Sequence, residues 1–174
     1  VTGYDVTEIS NTLYTVNDFT FSGKAEAAGT DAATYPMELK TSQFKNKNAN
    51  FTKVTFEVVD GSLTINPRNV TLTSATDSKV YDKNPLTNDT ITVGGDKFVE
   101  GEGATYDVTG SQTEVGTSDN TFTYTLNTNT KKENYTITKV EGKLTVTPDE
   151  NTVVVTIVGN TVSDTYDGTE KTAA

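Results

Sequence analysis

The chain contains no cysteine, no histidine and no tryptophan, one methionine and four prolines in 174 residues. Without cysteine, neither disulfides nor thiolate metal sites can staple the fold, so stability must come from packing and backbone pairing. That composition fits the cytosol and the cell exterior equally. Without histidine, the chain lacks the side chain most used for proton transfer near neutral pH and the commonest metal ligand, which weighs against a hydrolase. No stretch approaches the roughly 20 apolar residues that span a bilayer, and the N-terminus has no basic-then-apolar signal pattern. Positive charge is scarce: 14 Lys and Arg stand against 24 Asp and Glu, a net charge of −10. Nucleic acid and anionic membrane surfaces are therefore disfavoured partners, because phosphate binding depends on Lys and Arg.

What the chain does have is threonine, about one residue in five, a β-branched residue that suits a pleated, half-exposed surface. The expected class is all-β, with at most a short helical turn at 13–18. With 33% hydrophobic residues, the cores must be thin. Eight Tyr and seven Phe have to supply much of the buried area, so the aromatics are expected to point inward.

Repetition organises the chain. Residues 56–67 read FEVVDGSLTINP and residues 137–148 read ITKVEGKLTVTP. Gly61 matches Gly142, Leu63 matches Leu144, Ile65 matches Val146 and Pro67 matches Pro148. Each block is followed by a strand-like run and a Tyr-Asp pair, Tyr81-Asp82 and Tyr166-Asp167. A repeat of this length implies tandem modules of about 80 to 90 residues. We therefore expect a first module at 1–67 without its opening strand, a complete second module at 68–148, and the opening strand and Tyr-Asp turn of a third at 149–174. Because the chain starts inside a repeat, it reads as a piece excised from a longer protein, out of phase with its modules.

The alternations Leu63-x-Ile65 and Leu144-x-Val146 have the period of a strand with one buried face. Ahead of them, Asp60-Gly61 and Glu141-Gly142 read as hairpin turns, which makes the last two strands of each module a hairpin. The segments Asn50-Phe51-Thr52 and Asn134-Tyr135-Thr136 align as the start of that hairpin. Upstream, Gly29-Thr30-Asp31 with Tyr35 matches Gly116-Thr117-Ser118 with Phe122 at identical spacing. This predicts a strand at 19–25, a turn at 29–32 and a strand at 34–40, repeated at 105–112, 116–120 and 121–127.

Little chemistry follows from these motifs. Neither Tyr81-Asp82 nor Tyr166-Asp167 has a base, nucleophile or metal cluster at a recurring offset, so each Tyr should pack on a core while its Asp bonds nearby amides. The Asp and Asn residues between Asn84 and Asp96 form no twelve-residue calcium loop. Gly94-Gly95 and Gly101-Glu102-Gly103 lack the Gly-Lys-Ser/Thr that follows in a phosphate loop. No catalytic, cofactor-binding or metal-ligating residue is assigned. Asn50, Asn69, Asn88 and Asn134 match the glycosylation sequon, as expected by chance in a Thr- and Asn-rich chain.

With Tyr166-Asp167-Gly168-Thr169, the Gly29-Thr30-Asp31 turn and the closing DGSLTINP of 60–67, the chain resembles the MBG/YDG-type mostly-β tandem repeats of bacterial surface proteins. The likeness covers nearly the whole chain, although Tyr81-Asp82-Lys83 departs from Tyr-Asp-Gly. It implies secreted or wall-anchored, adhesin-like proteins whose modules form stalks, and no catalytic residues. The expected architecture is two tandem β-sandwich or β-grasp-like modules arranged end to end, outside the cell, with neighbouring repeats as partners. The expected role is a stalk or spacer for adhesion; the alternative is that the modules themselves bind host glycan or matrix protein, through an exposed aromatic cluster or groove. The out-of-phase ends add one further expectation. An unpaired edge in the first module and the spare strand around Val153, Val155 and Ile157 should pair head to tail between molecules, rather than the spare strand packing on its own second module or hanging free.

Overall fold

The computed structural model describes residues 1–172. Ala173 and Ala174, which close the expected third element, lie outside the described residues. The architecture is all-β: among the described residues there are five small sheets and three single-turn 3-10 segments, at Val16–Asp18, Thr41–Gln43 and Lys132–Asn134. The first of these lies in the stretch with helical spacing. Thr15 starts it, its backbone N donating to Asp18 Oδ2 (2.7 Å) while its own Oγ1 accepts from Asn17 N, a capping box that sets the entry into the first strand.

Residues 1–67 carry β1 (Phe19–Phe21), β2 (Ala33–Pro36), β3 (Phe44–Asn46) and β4 (Ser62–Ile65). Here β1 pairs with β3 and β2 with β4, both antiparallel. Residues 68–148 carry β5 (Arg68–Ser74), β6 (Asp77–Val80), β7 (Ile91–Gly95), β8 (Ala104–Val108), β9 (Gly116–Asp119), β10 (Phe122–Leu126), β11 (Tyr135–Val140) and β12 (Lys143–Thr147). One sheet has the order β11-β5-β7, a second β6-β12-β9, and β8 pairs with β10. Among the described residues no ladder crosses Pro67.

The spine of residues 68–148 is a bent parallel ribbon. β5 runs beside β11 and β6 beside β12, so both chains leave one sheet and enter the other at the same level. At that corner Ser74 (2% exposed) and Asn120 (0%) stitch the crossing. Ser74 Oγ donates to Asn120 O (2.6 Å) and accepts from Gly142 N (2.9 Å), Asn120 N donates to Gly142 O (2.8 Å), and Asn120 Nδ2 donates to Ala75 O (3.0 Å). These bonds satisfy backbone groups that the broken ladders leave free inside the protein.

Alternation along β5 turns Val70, Leu72 and Ser74 inward, as the two-residue period of a strand requires. Val70 and Leu72 join Phe122 and Tyr135 in one cluster, flanked by Ile91, Val93, Phe98, Tyr106, Val108 and Ile137. Each of these two aliphatic side chains contributes about 1.5–3 kcal/mol by leaving water. A second cluster gathers Leu86, Leu144 and Val146 with Tyr81. The core of residues 1–67 is different in kind: Tyr4, Phe19, Phe21, Phe44 and Phe56 meet ring against ring at 5.0–6.0 Å, but none of the five is buried. Inward-pointing aromatics are thus realised at Tyr14, Phe122 and Tyr135 and only in part elsewhere, with Tyr166 at 92% exposure.

Four sequence expectations are corrected. The last two strands do not form a hairpin: β11 and β12 lie in different sheets, and Glu141-Gly142 is a corner between them. The stretch 116–120 is not a turn but β9, an edge strand paired with β12 and held by Thr117 Oγ1···Thr145 Oγ1 (3.1 Å) and Lys143–Asp119 (2.5 Å). Here cross-strand partners outweigh a turn-like composition. The glycine alignment also slips by four. Leu144 faces Ser118, whereas Leu63 faces Tyr35, so Ala33 rather than Gly29 occupies the place of Gly116. An even slip keeps the same faces buried. The first-segment strands are shorter than expected as well. β1 stops before Gly23 at φ +134°, and β2 stops before Glu38 at φ +59°, where Asp60 accepts from Glu38 N and Leu39 N.

Candidate functional site

Three places carry the polar chemistry of the surface: the Tyr-Asp turns, a shallow recess on residues 68–148, and a bonded junction between residues 1–67 and 68–148.

At the first Tyr-Asp turn, Tyr81 packs against Leu86, Leu144 and Val146. Asp82 Oδ1 accepts from Asn84 N (3.0 Å) and from Lys79 Nζ (2.7 Å); the lysine hydrogen bond, followed by the amide, holds its carboxyl below the usual range. The departure from Tyr-Asp-Gly proves mild in geometry: Lys83 takes φ +69°, the left-handed conformation that Gly168 takes at +80°. A lysine there bears a steric cost of about 1–2 kcal/mol that glycine avoids. At the second turn, Asp167 Oδ1 accepts from Thr169 N (3.0 Å), and Lys171 Nζ meets Asp167 Oδ2 at 2.6 Å. That ion pair is the leading cause of the lowered Asp167 carboxyl. The local turn forms, but the Tyr166 ring finds no core.

The other singled-out residues divide as follows. Gly142 sits at the sheet-to-sheet corner against the backbone of Ser74 and Ala75, and Gly61 lies over Met37. Val153, Val155 and Ile157 are 83%, 75% and 88% exposed in a tail that forms no strand within the chain. Asp149, Asn151 and Val153 line a recess of about 380 Å³ with Tyr81, Asp82 and Lys83.

A larger recess of about 530 Å³ lies beside β10 and β11, lined by Tyr124, Thr125, Leu126, Lys132, Tyr135 and Ile137. Tyr124 is 36% exposed there. Tyr135 is anchored from behind: its hydroxyl donates to Glu102 Oε2 and accepts from Val99 N (3.1 Å). Burial, then the bond to Glu102, pushes its phenol up. Among the described residues no three acidic groups converge as a cation site. The Asn84–Asp96 region spends its polar groups locally instead, Asn88 Nδ2 donating to Asp77 Oδ2 (3.0 Å) and Asp96 Oδ2 accepting from Asn69 N (2.9 Å).

The junction was not anticipated. Asp31, in the turn after Gly29, places Oδ2 at 2.6 Å from Lys131 Nζ and accepts from Asn134 Nδ2 on Oδ1 (3.0 Å). Asn134 Oδ1 accepts from Ala32 N (2.6 Å). An acid, an amide and a backbone N–H therefore close one ring of bonds between residues more than a hundred positions apart. The Lys131 and Asn134 hydrogen bonds hold the Asp31 carboxyl below its ordinary range, and Asp31 raises Lys131. The sequence held one signal for it: Lys131 and Asn134 stand three apart, as do Lys47 and Asn50 before the matching Phe51-Thr52. No family model, curated protein or solved structure matches this chain.

Proposed function

We propose that this chain is a non-catalytic tandem-repeat region of a bacterial cell-surface or secreted protein. Residues 1–67 and 68–148 are successive modules of an extracellular stalk that holds an adhesive domain away from the cell. The observation that carries this reading is the Asp31–Lys131–Asn134 junction, because a spacer needs a fixed angle between neighbours and a polar junction can be repeated without aggregation. Its receiving half recurs: Lys47 and Asn50 are exposed at the matching place in residues 1–67. Further support comes from the carboxylates. Asp18, Asp31, Asp77, Asp82 and Asp167 are all shifted downward, chiefly by hydrogen bonds, whereas a general acid at neutral pH requires an upward shift.

Residual dipolar couplings test the spacer. One alignment tensor should describe both modules of the wild-type chain, and Asp31→Ala should split it into two; independent tensors in the wild type remove the stalk reading. Acid should act like that substitution. Asp31 has a lowered folded pKa, so its contribution is present at neutral pH and is lost as pH falls through that lowered value. Lys131, raised, keeps its contribution until pH climbs through its raised value. A junction that opens between pH 6 and 8 contradicts both shifts.

A second reading rests on the recess at Tyr124 and Lys132. An exposed ring beside a cation is a surface for stacking a sugar and bonding its hydroxyls, so the modules themselves would bind host glycan or matrix protein. Glycan-array binding that disappears in Tyr124→Ala supports this reading; no binding favours the spacer.

A further inference from the structure

In residues 68–148 the middle strand of the main sheet is β5, parallel to β11 on one side and antiparallel to β7 on the other. Its inward residues Val70 and Leu72 are 1% and 0% exposed. Residues 1–67 contain counterparts of both flanks and none of the middle. The isolated bridge Thr2↔Glu26 answers the bridge Leu86↔Gln112. Counting on from Thr2 and Leu86, Thr7 falls at Ile91 and Ile9 at Val93, so the stretch 4–9 runs into the place of β7 and overlaps it at 7–9. Matching Gly61 to Gly142 sets residues 54–59, within the stretch 53–60, where β11 stands. Neither stretch forms a strand. Yet 53–60 already has the alternation of one: Val54, Phe56 and Val58 are half-buried while Thr55, Glu57 and Val59 are exposed. Phe56 packs on Phe19 and Phe44 at 5.4 and 5.8 Å. Among the described residues neither flank has a strand laddered beside it.

The tail carries the pattern of that strand. Val70 and Leu72 stand eleven and nine residues before Tyr81; Val155 and Ile157 stand eleven and nine before Tyr166. The geometry points to an open strand site between residues 4–9 and 53–60 that takes residues 153–159 of a second copy of this chain. The added strand lies parallel to 53–60 and antiparallel to 4–9, with Val155 and Ile157 turned into the aromatic cluster.

The register explains why the occupant is a second copy. Residues 1–67 bond to Asn134, next to the Tyr135↔Arg68 end of the parallel ribbon, and the tail leaves from the other end, after Thr147↔Val80. The seven residues from Pro148 to Val155 reach about 25 Å at most. The ribbon that separates the two ends runs from Arg68 to Val80 around the corner at Ser74, a contour of about 40 Å, and the tail already lies against Tyr81, Asp82 and Lys83 at its far end as far as Val153. Pairing by addition of an extended segment satisfies backbone donors and acceptors first, while side chains at alternate positions set the register.

The test uses the full chain and a synthetic peptide of residues 151–172. Sedimentation should show head-to-tail oligomers that grow with concentration. Val155→Asp with Ile157→Asp should weaken that association at least tenfold. Both side chains are exposed in the tail, and the doubly substituted chain should still bind the wild-type peptide through its intact site. In amide NMR spectra the peptide should move signals of residues 4–9 and 53–60. A chain that stays monomeric at millimolar concentration and shows no peptide shifts overturns the proposal. So do oligomers undiminished by the two substitutions, or peptide shifts confined to the recess at Tyr81–Lys83. This inference goes beyond the spacer reading, which stands or falls on the alignment tensors and is untouched by these outcomes.

Discussion

Phe122→Ala should destabilise residues 68–148 by about 3–5 kcal/mol, the range for emptying a well-packed aromatic site. Phe122 is 1% exposed, sits with Val70, Leu72 and Tyr135, and has Lys139 Nζ over its ring at 4.8 Å. At the usual 0.05–0.15 kcal/mol per residue, a unit of this size holds about 4–12 kcal/mol in all, so the substitution removes a large share of it. The partner measurement is Phe56→Ala in residues 1–67. That ring is half-buried in an unshielded cluster, and its loss should cost at most about 2 kcal/mol. Urea unfolding followed through amide signals of each segment gives both numbers from one chain. A Phe122 effect below about 1.5 kcal/mol, or a larger effect at Phe56, contradicts the assignment of the cores.

The two glycines that define the repeat should respond unequally to alanine. At Gly142 an added Cβ would lie 2.3 Å from Ala75 O and 2.5 Å from both Ala75 C and Ser74 O. All three are backbone atoms at the end of β5 and just after it, so they cannot rotate away. Relief requires opening the corner, which also stretches the bonds from Gly142 N to Ser74 Oγ and from Asn120 N to Gly142 O. The expected loss is about 3 kcal/mol, at the upper end for overpacking. At Gly61 the nearest atom is Met37 Sδ at 2.7 Å, and a methionine has three rotatable bonds with which to withdraw. Gly61→Ala should cost less than about 1 kcal/mol. Equal midpoint shifts for the two variants would mean that the corner is not closed at Gly142.

The same glycines mark how far the sequence could be read. Leu63-x-Ile65 and Leu144-x-Val146 announced strands correctly, because burial on one face writes itself into neighbouring residues as a period of two. Partner choice leaves no such local trace. β11 pairs with β5, more than sixty positions away, and nothing within Ile137 to Val140 distinguishes that from pairing with β12. Gly142 was read as a turn glycine, accepting a special φ, when its role is to let another backbone pass close by; both demands select the same residue. The junction stayed hidden for a related reason. Asp31, Lys131 and Asn134 lie in loops whose polar composition is ordinary, and only the fold brings them together. The Asp82 part of the Tyr81-Asp82 turn was legible because its bonds, to Asn84 N and Lys79 Nζ, are local.

The parallel ribbon also has a mechanical consequence. Tension that enters at Arg68 and leaves at Thr147 pulls β5 and β6 one way and β12 the other along their shared axis. The Leu144–Thr147 and Asp77–Val80 ladder is then loaded in shear, with its hydrogen bonds sharing the force instead of unzipping in turn. In residues 1–67 every ladder is antiparallel, and none is backed by a second sheet strand. Pulled from its ends, the chain should yield first there and hold longest across β6 and β12; a force trace with the opposite order would contradict this loading.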